Sequence, residues 1–166
     1  MKILISSCVY GNAVRWNGSS KLNESIKQWA NVHGFELIPI CPENDLFGTP
    51  RKPIRLTYED NEVKGMMGDK NVYPALNEKC KQILRKYSDA VGYIGIAGSP
   101  SCGISVGVRN LGKTQKAPMH IHTTFPTTEI NSLKTAKNRM MFLDRIVKYI
   151  TFGSSQRLSR KVDAQD

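Results

Sequence analysis

Cysteines stand at positions 8, 41, 80 and 102, and three of the four share a setting. Cys8 follows the apolar run from Lys2 to Ser7, and Cys41 follows Phe35 to Ile40. Cys102 comes shortly after Ala90 to Ala97, in Gly98-Ser99-Pro100-Ser101-Cys102-Gly103. Thiolates are soft ligands and strong nucleophiles, so three brought together would bind a soft metal or carry sulfur chemistry. All three lie beside small or turn-forming residues, Gly11, Pro42, Pro100 and Gly103, where backbone N–H groups are free to hydrogen-bond sulfur. A structural zinc site usually takes four protein ligands and a CxxC knuckle, and the chain contains no CxxC. Three sulfurs with an open position suit a catalytic metal or a [4Fe-4S] cluster with one uncommitted iron. The plainer alternative is three separately buried strand-end residues. Cys80 falls instead on the stripe Leu76, Cys80, Ile83, Leu84 and Tyr87, where a free cysteine packs as a small hydrophobe.

The elements that must position these cysteines alternate. Lys2 to Ser7 reads as a strand buried on both faces. Leu22, Ile26, Trp29 and Ala30 form an amphipathic helical stripe that Gly34 can terminate, and Phe35 to Ile40 is the next strand. A long irregular stretch from Cys41 to about Tyr73 precedes the Leu76 to Tyr87 helix, and Ala90 to Ala97 is a third strand. Strand, helix, strand, helix, strand is the order of parallel βαβ units and predicts an α/β three-layer core. Ligands of such sheets sit at the carboxyl ends of the strands, which would bring Cys8, Cys41 and Cys102 to one edge. Met119 to Thr124 is expected as a short strand on which His120 and His122 alternate, without partners that would make them a metal pair. Beyond Pro126, a helix capped by Thr127 or Thr128 is expected through Ile130, Leu133, Met140, Ile146 and Ile150. From Ser154 the chain turns polar. The expected organisation is one domain over residues 1–153 and a polar, flexible tail over 154–166.

A length of 166 residues, 40% apolar and 23% charged, suits one globular domain and excludes a disordered chain. No apolar run reaches transmembrane length, and the first strand is too short for a signal-peptide core, so no membrane partner and cytoplasmic residence are expected. Thiols there stay reduced. The formal charge of +10 is uneven: residues 84–166 carry thirteen Lys/Arg against five Asp/Glu. Such a half attracts phosphates or RNA, or is simply a solvated basic surface.

The residues also resemble a known family. Ser7-Cys8 with Gly11 and Val14-Arg15-Trp16-Asn17-Gly18 forms a first motif. Pro39-Ile40-Cys41-Pro42-Glu43 with Thr49-Pro50-Arg51 and Pro53 forms a second, and Ser99-Pro100-Ser101-Cys102-Gly103 a third. Together, across roughly residues 1–103, they resemble the thiouracil desulfidase family, also catalogued as DUF523. The resemblance implies a Rossmann-like fold with a mainly parallel sheet. It also implies a [4Fe-4S] cluster held by Cys8, Cys41 and Cys102, and removal of sulfur from small thio-nucleobases or nucleotides without net redox change. It further implies that Glu43 handles a proton and that Ser99 assists substrate or water. Independently, a partly desolvated carboxyl beside an anionic cluster is expected to have a raised pKa, although Glu43 capping a turn or binding Arg51 is the structural alternative. Ser101, beside a ligand, is a candidate for substrate hydrogen bonding or for ordinary turn chemistry. The Arg51 fork suits an anionic substrate group or a surface loop.

Trp16 and Asn17 stand where the family commonly has Tyr and Asp, which bears on the base that fits. Three functions follow: desulfidation of small thio-nucleobases, action on a thiolated transfer RNA through the basic half, and cluster-free sulfur transfer through a low-pKa Cys102 persulfide.

Overall fold

The run Lys-Ile-Leu-Ile-Ser is buried at four of its five positions, because it is the strand on which the main sheet is built. In a computed structural model, residues 1–162 are described, with side chains through residue 153. The chain begins with β1 (Lys2–Ser6), a helical turn α1 (Ser7–Tyr10), α2 (Glu24–Val32), β2 (Glu36–Ile40) and α3 (Pro42–Phe47). Next come β3 (Ile54–Glu59), β4 (Glu62–Met67), β5 (Lys70–Asn71), α4 (Tyr73–Lys86) and β6 (Gly92–Gly95). The last elements are β7 (Val106–Arg109), β8 (Thr114–Gln115), α5 (Pro118–His122), β9 (Thr127–Glu129), a 3-10 turn over Ile130–Leu133 and α6 (Ala136–Val162).

The first sheet is parallel throughout, in the order β2-β1-β6-β9, with Leu4 opposite both Ile38 and Tyr93. Alternation along its strands sends side chains to two apolar clusters. Ile3, Ile5 and Ile94 pack with Ile26 and Trp29 of α2 and with Phe142 and Ile146 of α6. Leu4 and Tyr93 pack with Cys80 and Ile83 of α4 and Met119 of α5. Helices therefore cover both faces, as the expected βαβ order requires.

Four expectations are corrected. The stretch from Cys41 to Tyr73 is not irregular. It holds α3 and the hairpin β3–β4, whose Asp60 and Asn61 take φ of 53° and 62°, the conformation that a tight two-residue hairpin turn demands. This hairpin enters a second, mixed sheet, β5-β4-β3-β7-β8, in which β3 and β7 run parallel. Secondly, Met119 to Thr124 is no strand: Pro118 opens α5, where its fixed φ suits the first helical position. Thirdly, Thr127 and Thr128 cap no helix, because they lie in the edge strand β9 beside Tyr93 and Ile94. The cap of α6 is Thr135, whose Oγ1 accepts from Asn138 N at 3.2 Å. Likewise Leu22 precedes its helix and is exposed, because Asn23 caps α2. The polar tail expected from residue 154 has a helical backbone to Val162; its side chains and residues 163–166 lie outside the described residues.

Candidate metal and catalytic site

Each of the three cysteines leaves the carboxyl edge of the parallel sheet by a different device. After β1 the chain tightens into α1, which buries Cys8, and the turn closes on Gly11 at φ 118°. A side chain at Gly11 would meet Leu22, so glycine serves both the turn and the packing there. After β2, Cys41 is the N-cap of α3, its Sγ accepting from Asn44 N at 3.4 Å with Pro42 first in the helix. That start places Glu43 in the first turn. After β6 the chain makes a closed loop in which Ser99 Oγ accepts from Cys102 N at 3.1 Å and Ser99 O accepts from Gly103 N at 2.9 Å. Cys102 ends up 4% exposed.

Sheet geometry brings the three loops around one cavity of about 210 Å³, lined by Cys8, Cys41, Cys102, Glu43, Ser99, Ser101 and Arg51. All seven site residues expected from the sequence thus meet in one place. Glu43 is buried and fully engaged. Its Oε1 accepts from Ser101 Oγ at 2.7 Å and Ser99 Oγ at 3.2 Å, and its Oε2 accepts from Arg51 Nη2 at 2.9 Å. Arg51 is also spent on protein groups, its Nη1 donating to the carbonyls of Val14 and Gly48. The structural alternative for Glu43, binding Arg51, is the arrangement present. Arg15 and Trp16 also line the cavity; Arg15 donates to Ser19 Oγ, and Trp16 is 45% exposed. Both belong to the first sequence motif, in which Trp16 is expected to bear on the base that fits and Arg15 has no expected role.

Burial dominates the electrostatics. It pushes the Cys8 thiol up to about 11 and the Cys41 thiol up to about 12, with the neighbouring Cys102 raising both further. Burial also raises Cys102, against a hydrogen bond from Ser101 Oγ at 3.4 Å that favours its thiolate. That direction runs against the lowered thiol pKa on which persulfide transfer through Cys102 would rely. Cys80, wholly buried in the cluster around Cys102, packs as a small hydrophobe as expected.

Two histidines found by sequence are placed by α5. His122 Nε2 meets Asn77 Oδ1 at 3.0 Å, and His120 Nε2 meets the Cys102 carbonyl at 2.9 Å, so neither faces the cavity as a ligand. Among the described residues no group of three or more His, Cys, Asp or Glu side chains is placed to hold a metal ion. The thiols surround a volume instead of converging on a point. With the carboxylate engaged elsewhere, the donor set is all sulfur, which fits an iron–sulfur cluster better than a lone hard ion.

A family model described as 2-thiouracil desulfurase matches residues 3–128. A solved structure, named as a [4Fe-4S]-dependent thiouracil desulfidase, TudS, shares the fold. Its TM-score is 0.62 at 22% sequence identity, covering 80% of this chain and 92% of that one. No curated protein matches the sequence.

Proposed function

The chain belongs to the 2-thiouracil desulfurase family, and from that membership we propose an iron–sulfur-dependent desulfidase that removes sulfur from thiolated nucleobases or nucleotides and releases it as sulfide. The observation that carries this reading is the ring of Cys8, Cys41 and Cys102 around one cavity that Glu43 also lines. The order β2-β1-β6-β9 under two helix layers is read as Rossmann-like and three-layered, with the cavity at the carboxyl ends where such folds bind ligands. When bound there by the three thiolates, a [4Fe-4S] cluster supplies one iron with an open position, a soft Lewis acid for a thiocarbonyl sulfur.

The remaining chemistry falls to the chain's own groups. Replacing C=S by C=O consumes one water and yields one hydrogen sulfide, with no change of oxidation state. Glu43 is the group that takes a proton from the attacking water and returns it to the departing sulfur. Ser99 and Ser101, both donating to Oε1, hold the water or the base against that carboxylate. Arg51 acts through Glu43 by fixing Oε2, which leaves Arg15 and the Trp16 ring as the side chains open to substrate. The free thiols require a reducing compartment.

The test is anaerobic reconstitution with iron and sulfide, then a screen of 2-thiouracil, 4-thiouracil and 4-thiouridine monophosphate for sulfide release. Protein that binds no iron, or a loaded protein inert on all three, overturns the reading. Sulfide release only from a thiolated transfer RNA, with salt-dependent binding, would move the substrate to RNA. No helix among the described residues is long and apolar enough to cross a membrane.

A further inference from the structure

The loop that carries Cys102 is held from behind by a segment outside the three sequence motifs. Three consecutive carbonyls of that loop are each taken by residues 117–120. Ser101 O accepts from Met119 N at 3.1 Å, and Gly103 O accepts from Ala117 N at 2.9 Å. Between them Cys102 O lies 2.9 Å from His120 Nε2. A carbonyl only accepts, so Nε2 carries the hydrogen, and Nδ1 is left buried without a partner. Tyr93 Oη reaches the same oxygen at 3.4 Å, and it also meets Ser6 Oγ at 3.4 Å, two residues before Cys8. The His120 and Tyr93 rings pack with centroids 4.9 Å apart.

The strand beneath is shaped for this contact. A Cβ built on Gly95 would lie 2.1 Å from the Cys102 oxygen and 2.7 Å from His120 Nε2. The peptide planes on both sides of Cys102 are thereby fixed. Its N–H is held by Ser99 Oγ, its carbonyl by His120 and Tyr93, and the next N–H by Ser99 O. With those planes set, the direction in which the Cys102 thiol leaves the backbone is set too.

We infer that His120 is a positioning residue for Cys102: by holding the Cys102 carbonyl it aims the thiol into the cavity. Burying an imidazole with one nitrogen unpartnered is costly, and the contact gives that cost a purpose. The inference rests on the proposed site, in which Cys102 serves from inside the cavity, and it concerns residues the family motifs do not include.

The test uses the full chain, first empty. Each cysteine's alkylation by iodoacetamide is followed by mass spectrometry in wild type, His120→Phe, His120→Gln and Tyr93→Phe. In His120→Phe the thiol is expected to leave the cavity and Cys102 alkylation to fall about tenfold, while Cys80, wholly buried, stays protected; the glutamine amide restores the donor and returns the rate to within about threefold of wild type. An equal or raised Cys102 rate in His120→Phe overturns the inference, and so does a rise at Cys80, which reports general loosening. If His120→Phe does not fold, Tyr93→Phe decides: it removes one donor to the same oxygen, and an unchanged Cys102 rate there overturns the inference. The reconstituted proteins give the second readout, with iron lost to a chelator faster from His120→Phe than from His120→Gln. Wild-type protein that takes up no iron would defeat the proposed function and leave the alkylation result to stand by itself.

Discussion

At the scale of single residues, Glu43 concentrates the chemistry. Its carboxylate faces two hydroxyl donors and one guanidinium, so Glu43→Gln keeps the shape while losing the basic oxygen that the serines address. The expected result is a normally loaded protein whose desulfidation rate falls about 10²- to 10⁴-fold, the usual worth of a general acid–base group. Unimpaired turnover in a loaded variant would remove Glu43 from the mechanism. The thiols give a pH prediction for the empty protein. Unfolded, they titrate near 9.0; folded, Cys8 and Cys41 hold their protons to about 11 and about 12. Between those values the unfolded chain has released protons that the native state keeps, so stability falls as pH rises. Urea midpoints of the empty protein are expected to be level up to about pH 8.5 and to drop above about pH 9, with a smaller drop in Cys41→Ser. A midpoint that rises over that range contradicts the burial argument.

At the scale of elements, the site is a property of loops held from two sides. The second sheet grips the outer ends: β3 follows the loop of Arg51, β7 follows the loop of Cys102, and the two strands pair as Leu56 with Val108. Glu129, at the end of β9, accepts from Ile104 N at 2.6 Å and ties the same loop back to the parallel sheet. The inner side depends on the absence of a side chain at Gly95. Gly95→Ala is therefore expected to destabilise the protein by about 1–3 kcal/mol, as overpacking does, and to lower the iron bound on reconstitution. Gly107→Ala in β7, where a Cβ meets nothing within 4 Å, is the control and should leave the urea midpoint near wild type.

For the whole molecule, the two faces of the parallel sheet make α6 structural: Phe142 and Ile146 close the cluster formed by β1 and α2, far along the chain from both. Ile146→Ala is expected to cost about 2–5 kcal/mol by urea denaturation. An unchanged midpoint would show that α6 is dispensable to the core. The sequence by itself determined the parallel core and the cysteines that share its edge. Strand-end position and apolar periodicity are local properties, and the parallel connection turns them into proximity. It also separated Cys80 from the other three, since helical spacing alone assigns that thiol to a packed face. The hairpin β3–β4, with its turn Asp60-Asn61, lies in the stretch that read as irregular, and the sheet it joins is set by pairing partners distant in the chain. For the same reason His120 read as a strand residue: nothing near it in sequence reveals the Cys102 carbonyl 18 residues away. Tertiary structure alone decided that Arg51 serves Glu43, because hydrogen-bond donors are allotted by geometry at the cavity wall and not by residue type.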